Sequence, residues 1–205
     1  ETGIRIMGPN CLGVFDNINK VDTFFILRER VGRPPIGGLS ILSQSGSFAG
    51  TIMDSLAAEG VGVAKVINYG NRTDVGESDC LDYLAEDDTT KVVGIYIESI
   101  DDGKRFVESA KRCAKKKPVF AIKVGRHEAG ASAARSHTGA IAGRYEIYGA
   151  AFKKAGIIEV KGYSEFLDAC KVFSRFDRSK GKRVLIITNG GGMGASVADA
   201  CGDLG

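Results

Sequence analysis

A regular alternation of short apolar runs with longer amphipathic segments constrains this chain more than any other feature. The apolar runs predict strands at 39–42, 61–67, 92–97, 119–124 and 157–160. The segments between them predict helices at 46–59, 77–86, 103–116, 144–155 and 163–176. Continuous apolar strands that alternate with helices are typical of a parallel sheet covered on both faces. The sequence therefore predicts an α/β fold with a doubly wound parallel sheet.

The two flanks of this pattern differ from its centre. Residues 1–36 are rich in turn residues and end at Pro34-Pro35, so we expect an irregular connecting segment there and the main domain at 37–160. Residues 161–205 are expected to hold a connecting helix and the start of a second, similar unit, whose first strand is predicted at 183–188. The chain begins without Met and stops soon after a predicted helix starts, so we expect it to be a piece of a larger protein.

Composition and charge exclude several functional classes. The formal charge is +3, and basic or aromatic residues do not cluster into a stripe, so nucleic acid is not an expected partner. The sequence has no signal peptide and no long apolar span, so a membrane is not expected either. The 5 cysteines contain no CxxC pair, which argues against a zinc site or a disulfide framework and favours reduced thiols in a cytoplasmic protein.

His137 is the candidate for chemistry, because it lies among small residues and glycines that suit a loop reaching ligands. The other histidine, His127, has charged neighbours and is interpreted as a solvated loop residue. Glu98 ends an apolar strand, so its carboxylate should be partly buried and in need of a partner. It could accept a hydrogen bond from one imidazole nitrogen of His137 and leave the other nitrogen nucleophilic. A strand-end glutamate paired with an arginine is the alternative.

Two segments follow apolar runs and open helices, where free N–H groups can bind anions. The predicted phosphate-binding residues are Ser43, Gln44, Ser45, Gly46 and Ser47 in the first segment and Asn189, Gly190, Gly191 and Gly192 in the second. Each segment could instead be an ordinary junction of an α/β protein. A hydrolase nucleophile at Ser45 is a poor interpretation, because serines occupy the glycine positions of that motif. Paired helix ends would offset the roughly two negative charges of a phosphohistidine.

These motifs together resemble the acyl-CoA synthetase (NDP-forming) family, which includes the ADP-forming acetate–CoA ligases and is related to succinyl-CoA synthetase. The similarity runs along the whole chain in the same order. The matching stretches are Ile6-Met7-Gly8-Pro9-Asn10-Cys11-Leu12-Gly13, Ser43-Gln44-Ser45-Gly46-Ser47, Asn68-Tyr69-Gly70-Asn71 with Asp74, Tyr96-Ile97-Glu98, Ser136-His137-Thr138-Gly139-Ala140 and Asn189-Gly190-Gly191-Gly192.

The resemblance implies a flavodoxin-like, succinyl-CoA synthetase-like domain with a phosphorylated His137 that Glu98 supports. It also implies that both predicted helix ends hold the phosphoryl group. The family interconverts acyl-CoA, ADP and phosphate with acid, CoA and ATP. An acyl phosphate forms, its phosphoryl group passes to the histidine, and the histidine loop then carries it to ADP.

The implied partners are an ATP-grasp subunit or domain, a small acid and its acyl-CoA, in an oligomer. CoA and Mg-ADP or Mg-ATP are expected to bind mostly outside this chain, because it lacks the N-terminal CoA-binding domain and the ATP-grasp module. The alternative is a non-catalytic module that senses acyl-CoA or a nucleotide. Such modules are expected to lose the histidine, whereas this chain retains both His137 and Glu98. A plain nucleotide-binding flavodoxin-like domain would leave the histidine loop unexplained.

Overall fold

A computed structural model describes residues 3–126, 145–176, 181 and 183–204. The strands of these ranges are β1 Gly13–Asp16, β2 Val21–Asp22, β3 Ile36–Ser43, β4 Val63–Asn68, β5 Val92–Ile97, β6 Val119–Lys123 and β7 Ile158–Val160. The helices are α1 Gly46–Ala58, α2 Glu77–Glu86, α3 Gly103–Lys116, α4 Tyr145–Ala155, α5 Tyr163–Arg175 and α6 Gly191–Leu204. All described strands belong to one sheet, so the predicted α/β fold is confirmed.

The sheet has the order β2-β1-β4-β3-β5-β6-β7. Strands β4, β3, β5, β6 and β7 are parallel. Numbered within this parallel part alone, their order is 2-1-3-4-5, the order of flavodoxin-like sheets. The direction of winding reverses between β3 and β5, and ligands of such sheets bind beyond the carboxyl ends of the strands at that point. In this chain those ends are Ser43 and Ile97.

Apolar side chains cover the sheet on both faces, as the predicted doubly wound arrangement requires. Helices α2, α3 and α4 bury residues such as Leu81, Phe106 and Phe152 against one face. Helices α1 and α5 bury residues such as Ile52 and Phe166 against the other. The α5 segment was expected to connect two units, but Phe166 lies edge-on to Phe120 of β6 with 4.9 Å between ring centroids. Helix α5 is therefore part of this domain.

The segment 1–36 was predicted to be irregular, and this prediction is wrong for β1 and β2. Strand β1 pairs antiparallel with β4 from Gly13 opposite Asn68 to Asp16 opposite Lys65. The turn into β2 is stabilised by the Asp16 carboxylate, which accepts hydrogen bonds from the main-chain N–H groups of Ile18 (3.0 Å) and Asn19 (2.9 Å). The hairpin adds two antiparallel strands to the edge of the sheet.

The strand predicted at 183–188 is not present among the described residues, while the expected start of a second α/β unit stays a prediction. A strand needs a partner, and none of the described strands pairs with this segment. Its apolar side chains are instead exposed, Leu185 by 83% and Ile187 by 88%. Helix α6 does begin at the predicted glycine segment, but none of its described residues is buried. None of the helices in the described ranges combines the length and apolar character that crossing a bilayer requires.

Candidate functional site at the switch point

A cavity of about 780 Å³ lies at the carboxyl ends of β3 and β5. Most of the first predicted phosphate segment and the predicted supporting glutamate line it together. Its described lining comprises Asn10, Cys11, Leu12, Phe25, Ile26, Arg30, Val31, Gln44, Ser45, Gly46, Ser47, Gly50, Thr51, Asp54, Asn71 and Glu98. The geometry places these groups where the sheet order predicts a ligand.

The 43–47 segment forms the start of helix α1. Ser45 is the N-cap residue, and its Oγ accepts a hydrogen bond from the main-chain N–H of Phe48 at 3.3 Å. The first N–H groups of a helix have no partner within it, and Gly46 and Ser47 both line the cavity. Such N–H groups and the partial positive charge of a helix end are the features that anion binding requires. Ser43 contributes to the turn, because its buried Oγ donates to the main-chain oxygen of Ser45 at 2.6 Å.

Glu98 follows β5 directly and is only 8% exposed, as its position at the end of an apolar strand predicted. Beside it, Tyr96 is stacked on Phe48 of helix α1 with 4.3 Å between ring centroids. Burial, the negative charge of Glu98 and a hydrogen bond to its carboxylate raise the pKa of Tyr96 well above its ordinary value. The Tyr96 phenol therefore stays protonated at neutral pH. The ring stack holds the start of α1 close to the end of β5.

Sequence reasoning missed the role of Asn68, which is fully buried at the end of β4. Its Oδ1 accepts from the main-chain N–H of Leu12 at 2.5 Å, and its Nδ2 donates to the main-chain oxygen of Ser43 at 2.8 Å. A polar residue directly after an apolar strand was the available signal. Asn68 therefore holds the 10–12 segment against the 43–47 turn.

The N-terminal segment supplies walls of the cavity that had been given no role. Leu12, Ile26 and Val31 surround Gly50, and a Cβ at Gly50 would lie 3.8 to 4.0 Å from their side chains. Arg30 is the one cationic side chain among the described lining residues, while Asp54 and Glu98 are its carboxylates. The cavity thus combines an apolar part, a helix N-terminus and one guanidinium.

The other predicted site residues are not brought to this cavity by the described part of the chain. The 189–192 segment precedes and opens helix α6, where Thr188 Oγ1 accepts from the N–H of Gly190 at 3.1 Å. No residue of that segment is in the described lining. With no buried residue, α6 lacks the packing that would fix it against the sheet. His137 and His127 lie outside the described residues.

The sheet order and the location of the cavity define a flavodoxin-like α/β domain with a cavity at its switch point. Residues 36–173 match the family described as succinyl-CoA ligase-like flavodoxin domain. The chain therefore belongs to this family, and the resemblance drawn from its motifs is confirmed.

Several relatives extend this similarity over nearly the whole chain. An ADP-forming acetate–CoA ligase of Methanocaldococcus jannaschii is 46% identical over 98% of this chain, which spans 28% of that protein. The alpha subunit of the ADP-forming acetate–CoA ligase II of Pyrococcus furiosus is 40% identical over 96% of this chain, which spans 42% of it. The solved structure of the dinucleotide-forming acetyl-coenzyme A synthetase 1 of Ca. Korarchaeum cryptofilum, in complex with phosphate and ADP, superposes with a TM-score of 0.92 at 35% identity. That match covers 98% of this chain and 43% of the solved chain, so this chain spans less than half of each of these proteins.

Proposed function

We propose that this chain is the phosphohistidine-carrying part of an ADP-forming acid–CoA ligase. The observation that carries the proposal is the cavity at the switch point of the sheet, because the N-terminus of helix α1 and Glu98 both line it. The names of the relatives support it, because they are ADP-forming acetate–CoA ligases. The proposal concerns the complete protein, of which this chain supplies one part.

The phosphoryl group is proposed to bind at the start of helix α1. The N–H groups of Gly46 and Ser47 and the partial charge of the helix offset its negative charge without a permanent cation. A phosphate bound there attacks the acyl carbon of acyl-CoA, so that an acyl phosphate forms and the thiolate of CoA leaves. Arg30 is the one cationic side chain among the described lining residues, and it can attract the phosphate or the acyl phosphate.

His137 is proposed to take the phosphoryl group from the acyl phosphate. Glu98 accepts a hydrogen bond from one N–H of the imidazole, and the other nitrogen attacks phosphorus. The bond between phosphorus and the acyl oxygen breaks, and the acid leaves as its carboxylate. The phosphorus–nitrogen bond then breaks in turn when the phosphoryl group passes to ADP. Burial of Glu98 strengthens its interaction with the imidazolium that this step produces.

The apolar part of the cavity is proposed to hold the hydrocarbon part of the acid. Leu12, Ile26 and Val31 form this part around Gly50, one helical turn beyond the proposed phosphate site. An acyl group there would place its carbonyl carbon near the start of the helix. The acid is therefore a small monocarboxylic acid whose chain length is limited by the residue at position 50.

The remaining parts of the reaction are proposed to come from outside this cavity. Asn189, Gly190, Gly191 and Gly192 are proposed to form the second phosphate site. An ATP-grasp subunit or domain is proposed to bind Mg-ADP or Mg-ATP, and a further domain to bind CoA, in a cytoplasmic oligomer. The solved relative holds phosphate and ADP, and the Pyrococcus relative is an alpha subunit, which supports a multi-part enzyme.

Variants of the two proposed catalytic residues test this function in the complete enzyme with its ATP-grasp partner. His137→Asn is expected to abolish ATP formation from acyl-CoA, ADP and phosphate, because no nitrogen remains to carry the phosphoryl group. Glu98→Gln is expected to lower the rate by about 10²- to 10⁴-fold without removing the acceptor. His127→Asn is the matched control and should leave the rate within about twofold. Full activity of His137→Asn would exclude the proposed function.

A further inference from the structure

Gln44, the one glutamine of the chain, bridges the ends of β3 and β5 with its side chain. Its Oε1 accepts hydrogen bonds from the main-chain N–H groups of Glu98 at 2.9 Å and Ser99 at 3.0 Å. Its Nε2 donates to Ser99 Oγ at 3.3 Å. Because main-chain N–H groups can only donate, the oxygen of the amide must face them. The orientation of the Gln44 amide is therefore fixed.

The backbone of Gln44 is held as firmly as its side chain. Its N–H donates to the main-chain oxygen of Tyr96 at 3.3 Å, which continues the pairing of β3 with β5. Its main-chain oxygen accepts from Asn68 Nδ2 at 3.3 Å, and the residue as a whole is 7% exposed. Gln44 is thus a fixed support against which the chain at 98–99 is set.

The same 98–99 segment is held from its other side by Arg72. The guanidinium donates to the main-chain oxygen of Ser99 at 2.9 Å and to Ser99 Oγ at 3.0 Å. Arg72 is itself paired with Asp101 at 2.6 Å. The chain directly after β5 therefore has hydrogen bonds from both sides, and the Glu98 backbone has little freedom to turn.

We propose that Gln44 is a positioning residue that sets the direction of the Glu98 carboxylate in the cavity, and that it is not a phosphate ligand. Its amide oxygen accepts from the N–H groups of Glu98 and Ser99, its Nε2 donates to Ser99 Oγ, and its main-chain N–H donates to Tyr96, so these groups hold the end of β5. Its side chain acts through the backbone of Glu98, whose carboxylate must meet the imidazole within hydrogen-bond distance. This inference rests on the proposed function, and it gives Gln44 a different role from the phosphate binding that was predicted from the sequence.

The test uses the complete enzyme with its ATP-grasp partner. It measures the rate of His137 phosphorylation from Mg-ATP and, in the ATP-forming direction from acyl-CoA and ADP, the KM for phosphate. Gln44→Met keeps the length of the side chain but removes its hydrogen bonds. We expect phosphorylation to slow by about 10- to 100-fold, because a displaced catalytic group loses about this much rate. The KM for phosphate should stay within about twofold, since no phosphate contact is lost.

A double-mutant cycle with Glu98→Gln separates positioning from general damage. If Gln44 acts through Glu98, Gln44→Met should slow the residual phosphorylation of Glu98→Gln by less than about twofold. The matched control is Asn17→Leu, because the Asn17 amide also holds two main-chain groups: its Nδ2 donates to the oxygens of Pro34 and Val63 at the amino ends of β3 and β4. Asn17→Leu should reduce stability and leave phosphorylation unchanged. Should Glu98→Gln show no measurable rate, the split between rate and KM in Gln44→Met decides.

Two results would overturn the assignment of Gln44. One is a raised KM for phosphate at an unchanged phosphorylation rate, and the other is a fully multiplicative effect in the double variant. If Gln44→Met does not fold, Ser99→Ala replaces it, because that change removes the hydroxyl that Gln44 Nε2 contacts and should give the same pattern at smaller size. A wild-type enzyme that takes no phosphoryl group at His137 would refute the proposed function and this inference together. A labelled wild type with the wrong variant pattern would refute only the inference.

Discussion

Asn68 accepts a hydrogen bond from the main-chain N–H of Leu12 over a distance of 2.5 Å. These residues are 56 positions apart in the chain, and the contact is completely buried at Asn68. The opposite end of the same amide donates to the main-chain oxygen of Ser43 at 2.8 Å. One side chain thereby joins the N-terminal segment to the turn that opens helix α1, and so fixes two walls of the cavity relative to each other.

Asn68→Leu should lower the free energy of unfolding by about 2–4 kcal/mol, because it leaves the buried N–H of Leu12 without an acceptor. Unfolding in urea measures this change. Asn71→Ala is the control, since Asn71 is exposed and its side chain accepts only a 3.3 Å hydrogen bond from Asn10. The control should change stability by less than about 0.5 kcal/mol. Equal losses in both variants would contradict the role assigned to Asn68.

Gly70→Ala should destabilise the protein much more than Gly60→Ala. Both glycines have a positive φ, +58° at Gly70 and +65° at Gly60, so alanine costs about 1–2 kcal/mol of backbone strain at either. A Cβ at Gly70 would also overlap the main-chain oxygens of Pro9 and Asn10, whereas a Cβ at Gly60 meets nothing within 4 Å. We expect Gly70→Ala to lose about 2–3 kcal/mol more than Gly60→Ala in urea unfolding. Similar losses would show that the 9–10 segment does not lie against Gly70.

Asp87 should make stability fall at low pH. Burial opposes its ionisation, but hydrogen bonds from Lys65, Thr90 and Thr89 outweigh burial and hold the pKa of the Asp87 carboxyl well below its usual range. Its stabilising contribution is therefore complete above the unfolded pKa of about 4 and is lost as the pH falls toward the folded value.

Asp87→Asn tests this dependence. At neutral pH the variant should be less stable by about 2–3 kcal/mol, because a charge-assisted hydrogen bond to the buried Lys65 is lost. The difference from wild type should shrink as the pH is lowered below about 4. Urea unfolding at a series of pH values measures it, with the exposed neighbour Asp88→Asn as control. A difference that does not vary with pH would contradict this origin.

Gly50→Ala should raise stability and narrow the choice of acid. The position is inside helix α1, and a new Cβ would make ordinary contacts of 3.8 to 4.0 Å with Ile26, Leu12 and Val31. Alanine should therefore stabilise the protein by about 0.5–1 kcal/mol. The added methyl group occupies the proposed acyl site, so kcat/KM for a branched acid should fall by roughly tenfold relative to acetate.

Gly103→Ala is the matched control for this change. Gly103 also lies in a helix, and a Cβ there meets nothing within 4 Å. It should leave the ratio of kcat/KM values for the two acids unchanged. The same ratio in wild type and Gly50→Ala would place the acid elsewhere in the protein.

Local signals made helix α3 predictable to the residue. Asp102 accepts a hydrogen bond from the N–H of Arg105 at 2.9 Å at the start, and Lys115 and Lys116 lie in the last turn. The spacing of Phe106, Ala110 and Cys113 predicted the buried face, and all three are buried.

Pairing between distant residues was not predictable in the same way. Val14 and Phe15 form a strand because β4 lies beside them, while the more apolar 183–188 segment has no partner among the described strands. The role of Gln44 depends on main-chain groups 54 and 55 residues further on. Periodicity and propensity carry no information about such partners. Gln44 was therefore predicted to bind phosphate together with its neighbours in the turn.

The most direct test of the central claim is the mass of the complete protein after it has been mixed with its ATP-grasp partner and Mg-ATP. We expect one acid-labile phosphoryl group on each chain, found at His137 by peptide mapping and absent from His137→Asn. No phosphoryl group on the wild type, with the partner shown to bind nucleotide, would contradict the account and point instead to a module that senses acyl-CoA or a nucleotide.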